Sequence, residues 1–407
     1  MVKTNSDYTF ASLFIISLNK INNIKFMKTS SKIFALIVLS GAITFNSCKR
    51  EGCTDHKALN YDSKAEKSDG SCVYDTAYNV PSTYDFANVS YSGQTERLDM
   101  LGELVNEMKK GNTQGTVLSA QKLKEMFSNE GGHFSFTSAN QLKNKTFADD
   151  VTVFEDYMDK LAAASASTTP GSNGVAGVVT SANDGSKKYL FDENGVEYLQ
   201  LIEKGLMGAV TYYQATSVYL SEDKVGDAID NTTVEEGKGT KMEHHWDEAF
   251  GYFGVPKDFP GNKTGIRYYG KYCDARDGKL NSNKALMEAF IKGRAAISNK
   301  DMETKEQMIK VVREEWEKVI AATAISYLNE AKNNFADDAL RNHELSEALA
   351  FIKALKYNSA KKITNAQIDT AVSTLSGNFY NITQSSIESA RDQLSTIYGF
   401  DSIKTSL

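Results

Sequence analysis

Apolar residues recur at three- and four-residue steps along most of the chain beyond residue 82. Met308, Val311, Val312, Trp316, Val319 and Ile320, with Thr323, draw one stripe, and Leu345, Ala348, Leu349, Ile352 and Leu355 draw another. Shorter stripes run through Leu98 to Met108, Val117 to Phe127, Val151 to Ala164 and Val196 to Leu220. This is the period of helices that bury one face. Only four prolines occur in the chain, and the stretch from Arg294 to Ser376 holds neither proline nor glycine, so strands and tight turns have little room there. The pattern predicts an all-α fold, an up-and-down bundle of about eight to ten helices, built as one large bundle or two coupled smaller ones.

Two breaks interrupt the pattern. Ser165 to Ser186, rich in Ser, Thr, Gly, Asn and Ala around Pro170, reads as a long flexible loop. The second runs from Asp223 to Lys241. A helix over Met242 to Phe253 follows it, after which Gly254-Val255-Pro256 and Pro260 open an irregular segment to about Gly278.

The first 47 residues carry an address rather than a fold. Met27-Lys28 opens a short basic segment with Lys32, followed by the apolar run Ile33 to Leu39 and then small or polar residues up to Cys48. That layout is a secretory signal, too short to span a membrane, with the start expected at Met27. Phe45-Asn46-Ser47-Cys48 resembles the lipobox of bacterial lipoproteins. The resemblance implies cleavage before Cys48, acylation of Cys48, and a lipid anchor in the outer membrane facing the periplasm or the cell surface. The formal net charge of −6 becomes more negative once the lysine-bearing leader is removed, which argues against nucleic acid as a partner.

Cysteine usage agrees with export. Cys53 and Cys72 are expected to form a disulfide closing a loop of about twenty residues, worth roughly 3 kcal/mol. Neither has the CxxC neighbour that zinc would favour, and Cys273 reads as a buried or partly buried free thiol. The segment Gly52 to Tyr74, with the pattern C-T-D-x-x-A-x-N-Y-x-x-x-A-x-x-x-D-G-S-C-x-Y, resembles a short module of exported and cell-surface proteins of gliding-type Gram-negative bacteria. It is too poor in apolar residues to bury a core and depends on its staple. Asp55, Asn60, Asp62 and Asp69 offer oxygens suited to calcium; the competing assignment is as turn and cap residues.

Candidate chemistry gathers in His244-His245-Trp246-Asp247-Glu248-Ala249-Phe250-Gly251-Tyr252-Phe253-Gly254, which holds two of the five histidines. On a helix, Met242, Trp246, Ala249, Phe250 and Phe253 form the apolar side, His245 lies at its edge, and His244 and Glu248 point nearly opposite. His245 and Glu248 are one turn apart, the spacing that a metal ion or a proton-transfer pair uses. His343 and Glu347 form a second such pair, opposite the Leu345, Leu349 and Ile352 stripe, facing solvent or a polar groove. Were the two pairs to meet, His245, Glu248, His343 and Glu347 would suit iron or zinc better than calcium. The competing assignment for His244 and His245 is caps or salt links on a partly solvated helix.

The His245-x-x-Glu248 segment, followed by aromatic residues and glycines, resembles the G-x-H-x-x-E signature of imelysin-like proteins, an exported all-helical family linked to iron uptake. It resembles more closely a set of outer-membrane lipoproteins with a domain of unassigned function, over roughly residues 82 to 400. The resemblance implies metal binding at His245 and Glu248, while Glu243 stands where the family glycine falls. His343-Glu344-Leu345-Ser346-Glu347 lacks the second histidine of H-E-x-x-H, and Ala249 follows Glu248 where H-x-x-E-H needs a histidine. No G-x-S-x-G or phosphate loop is present either. The expectation is therefore a membrane-anchored lipoprotein that binds a metal ion or metal-bearing ligand in iron uptake, without turnover. A surface interaction or scaffold protein with no metal site is the alternative.

Overall fold

The computed structural model describes residues 50–56, 58–73 and 78–407, and residues 50–407 form one compact unit. The signal region, the start at Met27 and the anchor Cys48 lie outside the described residues. In the N-terminal module, β1 (Glu51–Gly52) and β2 (Lys67–Ser68) pair in parallel, and a Cys53–Cys72 disulfide staples it. The Asn60 side chain bridges the Ser71 carbonyl and the Val73 amide, while Asp62 and Asp69 accept from Lys64 and Ser71 amides at 2.9 Å. Those oxygens brace turns, as Asx residues do.

The body holds twelve α-helices among the described residues: α1 (Ser92–Lys109), α2 (Ala120–Ser128), α3 (Val151–Ser165), α4 (Tyr198–Leu206), α5 (Glu222–Val225), α6 (Lys241–Gly251), α7 (Tyr269–Leu280), α8 (Ser282–Ser298), α9 (Met302–Asn333), α10 (Asp338–Ala354), α11 (Asn365–Leu375) and α12 (Gln384–Tyr398). The all-α expectation holds, with one continuous core from Tyr84 to Phe400. At its centre lies the 32-residue α9, packed by α8, α10 and α12. Short connections fold the chain back at each end of it. They need neither proline nor glycine because Asp301 and Asp337 cap the following helices, accepting amide hydrogens from Thr304, Ala339 and Leu340.

Two readings of the breaks are corrected. Ser165 to Ser186 is not a plain loop: β3 (Gly177–Thr180) pairs antiparallel with β4 (Lys188–Phe191), Val178 facing Leu190. Strands of four residues are too short for an alternation to register. The irregular segment ends earlier than expected, since α7 begins at Tyr269. Only Tyr269, Gly270 and Cys273 of that helix are buried, so its apolar stripe was too thin to read. No helix among the described residues is long and apolar enough to cross a membrane.

Candidate functional site

Helix α6 is locked in place before any of its polar groups can act. Thr240 and Glu243 form a capping box, each side chain bonding the other's backbone N–H at 3.2 and 2.8 Å. Trp246 donates to the Phe290 carbonyl at 3.0 Å, and Phe250 stacks on Tyr84 with centroids 3.8 Å apart. Beneath them Arg294 donates to Asp247 at 2.9 Å and to Glu243 at 2.7 Å, while the Tyr84 hydroxyl adds a bond to Asp247 at 2.7 Å. Burial is the largest influence on Asp247 and pushes its carboxyl up to about 6, against the pull of Arg294 and Tyr84. Glu243, standing where a glycine was expected, therefore has two structural tasks: it closes the cap and pairs with Arg294.

The other face of α6 carries His244, His245 and Glu248. His245 Nδ1 lies 3.1 Å from Glu248 Oε2, and Gln94 donates to Glu248 Oε1 at 3.0 Å. His244 Nε2 stands 4.0 Å from the same carboxylate. Burial works to raise Glu248, but the His245 bond and the nearby His244 prevail and hold it below the usual carboxylate range. His245 is 9 % exposed, and its Nε2 is buried without a hydrogen-bond partner, as are His244 Nδ1 and the Tyr252 hydroxyl. Such orphaned atoms are uncommon in a folded protein and mark places where a ligand or water completes the set.

Tyr219 reaches this face from the far end of α4, which continues through π-helical turns at Met207–Tyr212 and Gln214–Tyr219. The Tyr219 ring lies 6.1 Å from His245 and 6.2 Å from Tyr252. Wider turns rotate side chains away from ordinary helical register and recur at functional sites. A cavity of about 240 Å³ opens here, lined by Gln94, Arg97, Lys145, Tyr219, His244 and Glu248 among others.

The second pair belongs to a different network. His343 Nδ1 lies 2.6 Å from Glu197 Oε2, its Nε2 lies 3.6 Å from Glu347 Oε2, and Tyr189 stacks on the ring at 4.0 Å. Burial opposes the charged imidazole, yet Glu197 and Glu347 raise its affinity for a proton above the ordinary value. Lys204 Nζ stands 3.2 Å from Glu203 and 3.3 Å from Glu347. Of the two options read from the sequence, the polar groove is the one found, with Lys204 and His343 set among the carboxylates of Glu197, Glu203 and Glu347. The structure brings His245 to Glu248 and His343 to Glu347, and leaves the two pairs apart.

A family model for a domain of unknown function, DUF4856, matches residues 81–401. The chain belongs to the DUF4856 family. No curated protein and no solved structure matches it. For the DUF4856 domain, the donor set decides how far a metal fits. Among the described residues no three His, Cys, Asp or Glu side chains stand together as a metal site requires. His245 and Glu248 offer two donors, so a bare iron or zinc ion would lack most of a protein coordination sphere.

Several residues of the DUF4856 site were missed in the sequence: Gln94, Arg97, Lys145, Tyr219 and the buried Asp247–Arg294 pair. One signal was present. Gln94 and Arg97 fall on the stripe that continues through Leu98, Leu101 and Leu104, and both are buried with it; a polar residue on a buried stripe needs a partner. Lys145 and Tyr219 carried no comparable mark.

Proposed function

We propose that this DUF4856 protein is an exported lipoprotein, anchored in the outer membrane through Cys48, that captures a metal-bearing ligand without chemical turnover. The reading includes the imelysin-like likeness of His245-x-x-Glu248 and a place in iron uptake. One observation carries it. The His245 imidazole has one nitrogen held by Glu248 at 3.1 Å and the other, Nε2, buried with no partner, the arrangement in which a carboxylate orients a histidine toward a metal. In that arrangement Nε2 is the one protein donor and Glu248 its orienting partner, so the remaining coordination positions fall to the ligand that brings the metal. That no three His, Cys, Asp or Glu side chains among the described residues are grouped to hold a metal favours one rival, a surface scaffold in which α6 serves packing alone.

Metal analysis separates the two. Residues 50–407 are equilibrated with ferric citrate, desalted and measured, wild type beside His245→Ala/Glu248→Ala. About one equivalent retained by the wild type and lost in the double variant is expected; equal, near-zero content in both leaves the scaffold.

A further inference from the structure

We infer that the cavity between the start of α1 and α6 is a binding site for a small oxyanion, carboxylate or phosphate, gripped by Arg97 and Lys145. The inference rests on the proposed function for its location only. Arg97 is 6 % exposed and lines the cavity. Its Nε and Nη1 donate to the backbone carbonyls of Gln141 and Gly93 at 2.9 and 3.0 Å. Those bonds aim the guanidinium without neutralising it. Among the described residues no carboxylate stands within ion-pair distance of Arg97, and a buried unpaired charge is costly unless something compensates it.

Lys145 repeats the pattern. Its Nζ reaches the Tyr219 hydroxyl at 3.4 Å and lies over the Tyr219 ring at 5.7 Å, with no carboxylate within ion-pair distance among the described residues. Burial first, and the like charge of Arg97 second, lower its affinity for a proton. Two cations therefore face one cavity and repel each other, a cost that an anion between them would reverse. His244 adds to the lining, as does Lys238, which is itself ion-paired with Glu235; among the described residues Glu248 is the only carboxylate of the lining, although the chain as a whole is acidic at −6.

The backbone contributes as well. The 18-residue α1 begins at Ser92 with no side-chain cap from Tyr91 and no acidic residue in its first turn. Ser92 and Gly93 line the cavity, so the positive end of a long helix points where an oxyanion would sit. Glu248 is engaged by Gln94 and His245 and is the one group there that disfavours an anion. The site thus has opposite requirements for its parts: Arg97 and Lys145 attract the ligand's oxygens, and Glu248 opposes them.

Isothermal titration calorimetry tests this on residues 50–407, dialysed against EDTA and held at low salt, titrated separately with sodium phosphate and sodium citrate. One-site binding of at least one anion is expected, weakened at least tenfold in Arg97→Gln and several-fold in Lys145→Met, and tightened in Glu248→Gln. Far-ultraviolet circular dichroism identifies any variant that fails to fold; Glu248→Gln is decisive if both cationic variants do, because a structural role alone does not tighten binding. Phosphate alone assigns a phosphate-bearing ligand, citrate alone a carboxylate-bearing one, and both a site that reads the shared oxyanion. Binding of neither by the wild type, or equal binding by the wild type and every folded variant, overturns the inference. Anion binding by a protein that retains no metal leaves this site standing while the metal-bearing reading falls, and metal uptake without anion binding does the reverse.

Discussion

Asp247 and Arg294 form a 2.9 Å ion pair in which neither side chain is more than 1 % exposed. It ties α8 to α6, the helix that carries His244, His245 and Glu248, through a charge pair that never meets solvent.

Removing one partner is far worse than removing both. Arg294→Met leaves the buried Asp247 and the partly buried Glu243 without their cation and is expected to cost about 3–5 kcal/mol. Asp247→Leu/Arg294→Met should recover much of that loss. Urea denaturation at pH 7 measures each; a double variant as unstable as the single one would refute the pairing argument.

Gly293 is a second point where α8 sets the site. A Cβ placed there would lie 2.0 Å from Trp246 Cζ2, and the indole cannot retreat without losing its bond to Phe290. Gly293→Ala is expected to lower stability by about 3 kcal/mol, with a loss of near-ultraviolet signal from the tryptophan. A melting temperature within a degree of the wild type would show that the ring has room to move.

The polar groove of α10 has a pH dependence of its own. Burial, with help from Glu330, pushes the Glu344 carboxyl up from its ordinary value to about 7, and its Oε2 is buried without a partner. Because the folded protein holds that proton more tightly than the unfolded chain, its stabilising effect is complete below about pH 4.5. It is lost as the pH rises through 7. Glu344→Gln, neutral throughout, should match the wild type near pH 4 and exceed it by about 2–3 kcal/mol at pH 8. Denaturant titrations at the two values check this; an unchanged difference between them would remove Glu344 as the cause.

By itself, the sequence determined most of the helical segments and, where an apolar stripe is complete, which face is buried. Those properties are local: Met308 to Thr323 or Leu345 to Leu355 carries its period within a few turns, and chain-wide scarcity of proline and glycine leaves no competing geometry. The staple was legible too, since Cys53 and Cys72 have few alternatives. The short hairpin at Val178 and Leu190, and α7 with its thin stripe, had too little local pattern to be read. Only the tertiary structure decided what each polar face meets. Gln94 reaches Glu248 across 154 positions and Tyr84 reaches Asp247 across 163, distances over which periodicity carries no information. The same holds for the histidines: helical geometry placed His245 beside Glu248, but only packing could place Lys204 against Glu347 and set Arg97 and Lys145 on one cavity with no carboxylate within ion-pair distance of either among the described residues.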